Sequence, residues 1–406
     1  MNIKIYCWSI RRWGESTIIV FNFLEKLFKT IHVIDFGAHD PFIVNNYVNN
    51  DPDKVLREAR NIIYTEDFNK TSYHKIEIII THLHYDHYSL IPYIISSHIE
   101  ADNLYVPGIP KEPSEIKEHL IYFLAVYETV FEELSREKIL RSVLDKARYL
   151  TVLFKDDYID INRDLKMYVK WPPKIVSTDF SDNILKILRR YRTAVEELIN
   201  KAGISRDKID RKIRSLGKIY EKISEKYSEE LEKRKIESSE LRGIMDDEEI
   251  YLIPLVYEER RFCYKKEILY KRILKMIDQA LNSFSLALEY HYNDHPIIVV
   301  PGDNSDKILD YMGRYLKDDM RKIVFLRGAH HGTSYGEYLN IFRPYITWLS
   351  QISHKKYRDG YWRISRYVAT ARDSRKLKID IYVGKKSINI LANRESKDLY
   401  FIMSVS

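Results

Sequence analysis

Cysteine, glycine and proline are all scarce in this chain of 406 residues, which has two cysteines, 13 glycines and 12 prolines. Cys7 and Cys263 are far apart and in no CxxC pair, which excludes a disulfide framework and a thiolate metal cluster; both read as small core residues. So few glycines and prolines argue against low-complexity disorder and for long regular elements. Long apolar runs are missing too. Even the stretch from Ile121 to Phe131 is broken by Glu128, so nothing approaches the ~18 uncharged apolar residues of a membrane helix. The opening residues carry Arg11 and Arg12 and lack the apolar core of a secretory signal. The expectation is a cytoplasmic protein with no membrane segment.

What is present suits one large folded domain with insertions or two of ordinary size. Hydrophobic residues make up 45% of the chain, charged residues 31%, and tyrosine alone contributes 32 residues. The net charge of +7 permits a phosphate-bearing partner without requiring one. The chain opens with strand patterns at 3–8, 16–22 and 31–36, and the apolar run 76–80 reads as a buried strand. Helical spacing follows from Ser114 to about Tyr149, then strands near 150–155 and 165–169. From about Asn183 charge alternates with aliphatic residues. Ile184, Leu188, Tyr191, Val195 and Leu198 form one stripe, Gly203 suits a C-cap, and Ser205 can cap a second helix. This predicts a long helical hairpin, a surface for partner docking, for homodimer contact or for substrate. Strand patterns resume at 283–290, 297–300 and 323–326, with further strands at 346–349, 379–382 and 388–391.

The densest chemical signal is His82-Leu83-His84-Tyr85-Asp86-His87, three imidazoles and a carboxylate in six residues of a chain with 13 histidines. It follows the buried strand directly, where a tight loop can aim neighbouring side chains at one or two ions. Two later strands also end in ligand-type residues, Pro301-Gly302-Asp303 and Arg327-Gly328-Ala329-His330-His331-Gly332-Thr333. Asp35 ends the third strand; it reads either as an orienting carboxylate behind a ligating imidazole or as a turn former. His39 and Asp40 read as loop residues beside it. His291 and His295 are poor ligand candidates, because eight residues of extended strand put His295 about 26 Å from Asp303. His98 and His119 read as surface or core residues of helices.

These motifs resemble the metallo-β-lactamase superfamily, whose HxHxDH signature is matched by His82, His84, Asp86 and His87. Within it the order Asn282-Ser283-Phe284-Ser285-Leu286, hairpin, Gly-Asp and His-His-Gly-Thr is similar to the soluble domain of ComEC-type DNA-uptake proteins and to phosphorylcholine esterases. The resemblance covers roughly 1–172 and 280–406 and implies an α/β, four-layer αββα fold in two halves. Residues 173–279 would form a mainly helical insertion. It implies two divalent ions, zinc or manganese, or a single one. His82 and His84 would hold the first, Asp86 and His87 the second, Asp303 would bridge them, and His331 would be a further ligand. His330 would face the substrate or protonate the leaving group, and Arg327 and Thr333 would meet an anionic substrate. The family's further histidine, which completes the first site, has no counterpart, and His354-Lys355-Lys356-Tyr357 stands where ComEC-type proteins carry a Gly-His-Pro stretch.

The implied chemistry is hydrolysis by a metal-bound hydroxide, with Asp86 also holding the attacking water. The expected function is a phosphodiesterase or nuclease acting on nucleic acid or another phosphodiester. The alternatives are a hydrolase of a non-phosphate ester, lactone or thioester, and a non-catalytic subunit that docks a partner through its helices.

Overall fold

A computed structural model describes residues 1–10, 14–23, 28–38, 54–64, 73–95, 100–133, 143–225, 231–241, 264–314, 320–351, 355–370, 376–384, 387–394 and 397–404. His39, Asp40, His98, Cys263 and His354 lie outside the described residues. In chain order the elements begin with β1 (Asn2–Ile10), β2 (Gly14–Phe23), β3 (Phe28–Phe36), α1 (Lys54–Tyr64) and β4 (Tyr73–Ile79). Next come α2 (Tyr85–Tyr88), α3 (Ile91–Ile94), β5 (Ala101–Pro107), α4 (Ser114–Glu133), β6 (Ala147–Leu153), β7 (Tyr158–Asp160) and β8 (Leu165–Trp171). The helices α5 (Thr178–Ala202) and α6 (Arg206–Glu225), the short β9 (Ile236–Glu237) and α7 (Tyr264–Leu281) follow. The chain then forms β10 (Ala287–Tyr292), β11 (His295–Val300), α8 (Asp306–Gly313), β12 (Arg321–Arg327), α9 (Glu337–Asn340) and β13 (Phe342–Leu349). It ends with α10 (Lys355–Ile364), β14 (Tyr367–Thr370), β15 (Lys376–Val383), β16 (Ser387–Arg394) and β17 (Lys397–Ser404).

The protein is therefore mixed α/β with two mixed sheets. One has ten strands in the order β17-β16-β15-β1-β2-β3-β4-β5-β6-β9; the other has seven, β14-β13-β12-β11-β10-β8-β7. The period-two alternation of strand side chains divides the core. In β1, Ile3, Ile5 and Cys7 join an apolar cluster shared with Met167, Leu288, Val300 and Phe325 of the other sheet. Tyr6, Trp8 and Ile10 point the opposite way, into a cluster shared with α4, α5 and α7. A third cluster lies on the far side of the seven-stranded sheet, where Ile323 and Leu326 meet Leu309 of α8, Leu339 of α9 and Tyr361 of α10. Among the described residues no helix is long and apolar enough to cross a membrane.

Two expectations change. Helical spacing read through to about residue 149 holds over Ser114–Glu133 and at Val143 and Leu144 among the described residues, but 147–153 is the strand β6, paired in parallel with β5. Its Leu150 and Val152 bury on one face and Leu153 on the other, so an apolar run that mimics a helix turn is satisfied as strand. The pair α5 and α6 does form, with Gly203 in the left-handed region at φ 67 donating to the Asn200 and Ile199 carbonyls. It does not project as a hairpin. α5 packs on α7 and α4, α6 packs on α4, and Ile184, Leu188, Val195, Ile199 and Ile209 are buried in the same core cluster as Tyr6 and Trp8. The apolar stripes thus close over the ten-stranded sheet.

Candidate metal centre

Three chain reversals bring the motif residues together. After β4 the backbone turns at Thr81 and His82 into α2, so that Asp86 and His87 lie on one helical turn and His84 caps it. Gly37 allows the approach: a Cβ there would stand 2.5 Å from the Asp86 carbonyl carbon and oxygen. Tyr127 of α4 accepts the Tyr85 N–H through its hydroxyl at 2.8 Å and fixes the turn from the other side. Asp303 follows β11 beyond Gly302, whose φ is 63 and whose missing Cβ would meet the Leu286 carbonyl. The Asp303 N–H donates to Ser285 Oγ at 2.9 Å, and the Leu286 N–H donates to the Thr81 carbonyl at 2.7 Å, tying this loop to the histidine loop. His330 and His331 follow β12 with φ 47 and 60, a left-handed backbone that is costly for residues with a Cβ. The His330 N–H donates to the Gly302 carbonyl at 3.0 Å and the Gln351 N–H to the His331 carbonyl at 3.1 Å, which holds the strained turn against both neighbours.

Four ligand atoms converge. His87 Nε2 is 3.4 Å from Asp303 Oδ2 and 3.7 Å from Asp86 Oδ2; His331 Nε2 is 3.2 Å from Asp303 Oδ2 and 3.6 Å from Asp86 Oδ2. Ligands at ~2.0–2.2 Å around an ion stand about 3 Å or a little more apart, so these separations suit metal ligands, and Asp86, His87 and His331 form one group able to hold an ion. His87 Nε2 and Asp303 Oδ1 are buried and have no hydrogen-bond partner, as atoms awaiting an ion would be. His82, His87 and Asp303 form a second group able to hold an ion, and His82 Nε2 lies 2.6 Å from His84 Nδ1.

The electrostatics match the geometry. Burial would lower His87, but Asp35, Asp303 and Asp86 outweigh it and push it up to about 10. Burial would raise Asp303, but His331, His87 and His82 hold it well below the usual carboxylate range. A proton on His87 thus balances charge that a divalent ion would balance instead, and binding an ion would release it. Burial pulls His84 down to about 3 and, with the neighbouring imidazoles, holds His82 well below the usual range, leaving both neutral and able to ligate.

Outer groups orient the imidazoles. Asp35, fully buried at φ 48, places Oδ2 3.0 Å from His87 Nδ1, and it accepts hydrogen bonds from the Thr81 N–H and hydroxyl at 2.8 and 2.9 Å. Burial would raise its carboxyl, but His87 and Arg327 bring it below the usual value. Arg327, expected at the substrate, is corrected by the structure: it is 1% exposed and its guanidinium donates to Asp35 at 2.8 Å, so it braces this carboxylate from within. The Thr333 hydroxyl donates to the His330 carbonyl at 2.6 Å and closes the turn. His330 stands apart from these ligand atoms, with Nε2 3.9 Å from Asp303 Oδ2 and 3.4 Å from Asn282 Nδ2 and a third of its side chain exposed.

His291 and His295 are elsewhere, beside Glu289 and the Lys322 carbonyl, and His119 pairs with Glu115 on α4. Sequence reasoning missed Asp278, in the last turn of α7, and named Asn282, just beyond that helix, only as part of the Asn282–Leu286 motif; their side chains reach His84 and His330. Burial and the nearby Asp86 raise the Asp278 carboxyl well above the usual range. The available signal was a lone carboxylate bordering the buried stripe Leu274, Ile277 and Leu281. No family model matches the chain, and no curated protein matches it significantly.

Proposed function

We propose that this protein is a metal-dependent hydrolase of the metallo-β-lactamase type that cleaves phosphodiesters, with nucleic acid as the favoured substrate. The observation that carries the reading is the convergence of Asp86, His87, Asp303 and His331 from three distant loops, with His–Asp separations of 3.2–3.7 Å. The placement of apolar clusters on both outer faces and between the sheets supports an αββα layering, and the loops emerge where β4, β11 and β12 end.

One or two bound zinc or manganese ions would lower the pKa of water toward neutrality and neutralise charge on a phosphoryl oxygen. Asp86, whose side chain is 14% exposed, lies at the open edge of the set and would accept a hydrogen bond from the attacking water. His330 is lowered by burial, which keeps it neutral and leaves one N–H to donate to a phosphoryl oxygen. Donation to substrate is favoured over protonation of the leaving group for that reason. Lys271, Arg272 and Lys275 lie on the exposed face of α7 within about 11 Å along the helix of Asp278, a basic approach suited to a polyanion. A docking role for α5 and α6 has less support, since their apolar stripes are already covered.

The test is turnover by the Zn²⁺- or Mn²⁺-loaded protein of single- and double-stranded DNA, RNA, cyclic oligonucleotides and a chromogenic phosphodiester, with a lactone and a thioester in parallel. Cleavage of a phosphodiester that is abolished by chelation and by His87→Ala supports the reading. Turnover of the lactone or thioester alone transfers the centre to another substrate class.

A further inference from the structure

The four clustered imidazoles do not point alike. His82, His87 and His331 each turn Nδ1 to an outer oxygen: Thr81 and Ser285 hydroxyls at 3.2 and 3.4 Å, Asp35 at 3.0 Å, and the Ser350 hydroxyl at 3.2 Å. Their Nε2 atoms face inward. His84 is reversed, with Nδ1 2.6 Å from His82 Nε2 and Nε2 directed outward, 3.4 Å from Asp278 Oδ1. His84 is 5% exposed, and its Nε2 has no hydrogen-bond partner; Asp278 is the carboxylate it faces. A ligating imidazole characteristically offers its other nitrogen to a carboxylate, carbonyl or water, which fixes the tautomer and raises ligand basicity.

We propose that Asp278 is a positioning residue of the centre, holding His84 with its proton on Nε2 so that Nδ1, beside His82 Nε2, is free to bind the first metal ion. The assignment rests on the metal-centre reading above. It makes the last turn of α7 part of the site, because Asn282 on the same face, four residues on, contacts His330. The first ion position, which lacks the family's extra histidine, is then defined by His82 and His84 with Asp303 close by, and its geometry is set by a helix from the segment between the two halves.

The test uses the full chain. Metal content is measured after dialysis against Zn²⁺, and affinity by titration, for wild type, Asp278→Asn, Asp278→Glu, His84→Ala and the Asp278→Asn/His84→Ala pair, each checked for folding by thermal melting in chelator. Wild type should bind two ions. Asp278→Asn should keep the tighter ion and weaken the other about 10- to 100-fold, with partial recovery in Asp278→Glu. The double variant should be no weaker than His84→Ala. ¹⁵N spectra of Zn²⁺-loaded wild type should show His84 protonated on Nε2 and metallated on Nδ1. Unchanged affinity in Asp278→Asn, or metal on His84 Nε2, overturns the assignment. A single ion in wild type overturns it while leaving the Asp86, His87, Asp303 and His331 site intact; no ion at all overturns both. Should Asp278→Asn fail to fold, the ¹⁵N tautomer in wild type decides.

Discussion

Replacing Asp35 by asparagine isolates the support behind the centre. The carboxylate is fully buried and lies against four groups at 2.8–3.0 Å: the Arg327 guanidinium, the Thr81 N–H and hydroxyl, and His87 Nδ1. Asparagine keeps the shape and removes the charge. Arg327, His87 and the Thr81 hydroxyl all meet Oδ2 and the Thr81 N–H meets Oδ1, so asparagine must turn its N–H₂ either on the first three or on the Thr81 N–H. Removing one partner of a buried ion pair costs about 3–5 kcal/mol, because the remaining charge keeps its desolvation penalty. Urea unfolding in chelator, which takes bound metal out of the comparison, should show that loss for Asp35→Asn and a similar loss for Arg327→Met. The double variant should lose less than the two together by about 1–3 kcal/mol, the coupling expected of groups in contact. With metal restored, Asp35→Asn should also bind its tighter ion about 10- to 100-fold more weakly, through loss of His87 orientation. Single losses under about 1 kcal/mol, or strict additivity, would refute the bracing role.

Other outcomes follow from the same geometry. His331→Ala should lose the tighter ion in metal analysis, whereas His330→Ala should retain it and lose turnover about 100- to 1000-fold, the effect of removing an oxyanion donor. Gly37→Ala should cost about 1–3 kcal/mol in unfolding and weaken metal binding, because the added methyl group forces the Asp86 backbone away. Glu77 is buried against His32 at 2.9 Å; burial would raise its carboxyl, but His32 and Lys75 hold it well below its ordinary 4.5. Its stabilisation is therefore present above pH 4.5 and lost as pH falls toward the depressed value, so the melting advantage of wild type over Glu77→Gln should shrink on acidification. Lys271→Glu/Lys275→Glu should weaken polynucleotide binding and flatten its salt dependence by about two charges' worth, while leaving turnover of a small phosphodiester unchanged.

The histidine loop was legible because its ligands are crowded into six residues, and Asp303, His330 and His331 because each follows a strand with an apolar run, Ile297–Val300 or Ile323–Leu326. Asp35 left two readings, which spacing alone cannot separate, since only the fold puts its carboxylate behind His87. Arg327 misled because a charged residue before a loop reads as exposed, although it ends a strand whose last five residues are all buried. Asp278 was hidden for the opposite reason: on a helix, a polar residue at the margin of an apolar stripe reads as the solvent boundary. The strands β7, β9, β14 and β17 lie at the sheet edges, and β7, β9 and β14 are only two to four residues long, too short for alternation to stand out. The pairing of strands from both ends of the chain, such as β1 with β15, is set by tertiary contacts that no local pattern encodes.

X-ray absorption and anomalous diffraction from Zn²⁺-loaded crystals test the centre most directly. The account predicts an ion ~2.0–2.2 Å from His87 Nε2, His331 Nε2, Asp86 Oδ2 and Asp303 Oδ2. An ion bound away from these four atoms, or no ordered ion under saturating zinc, would contradict it.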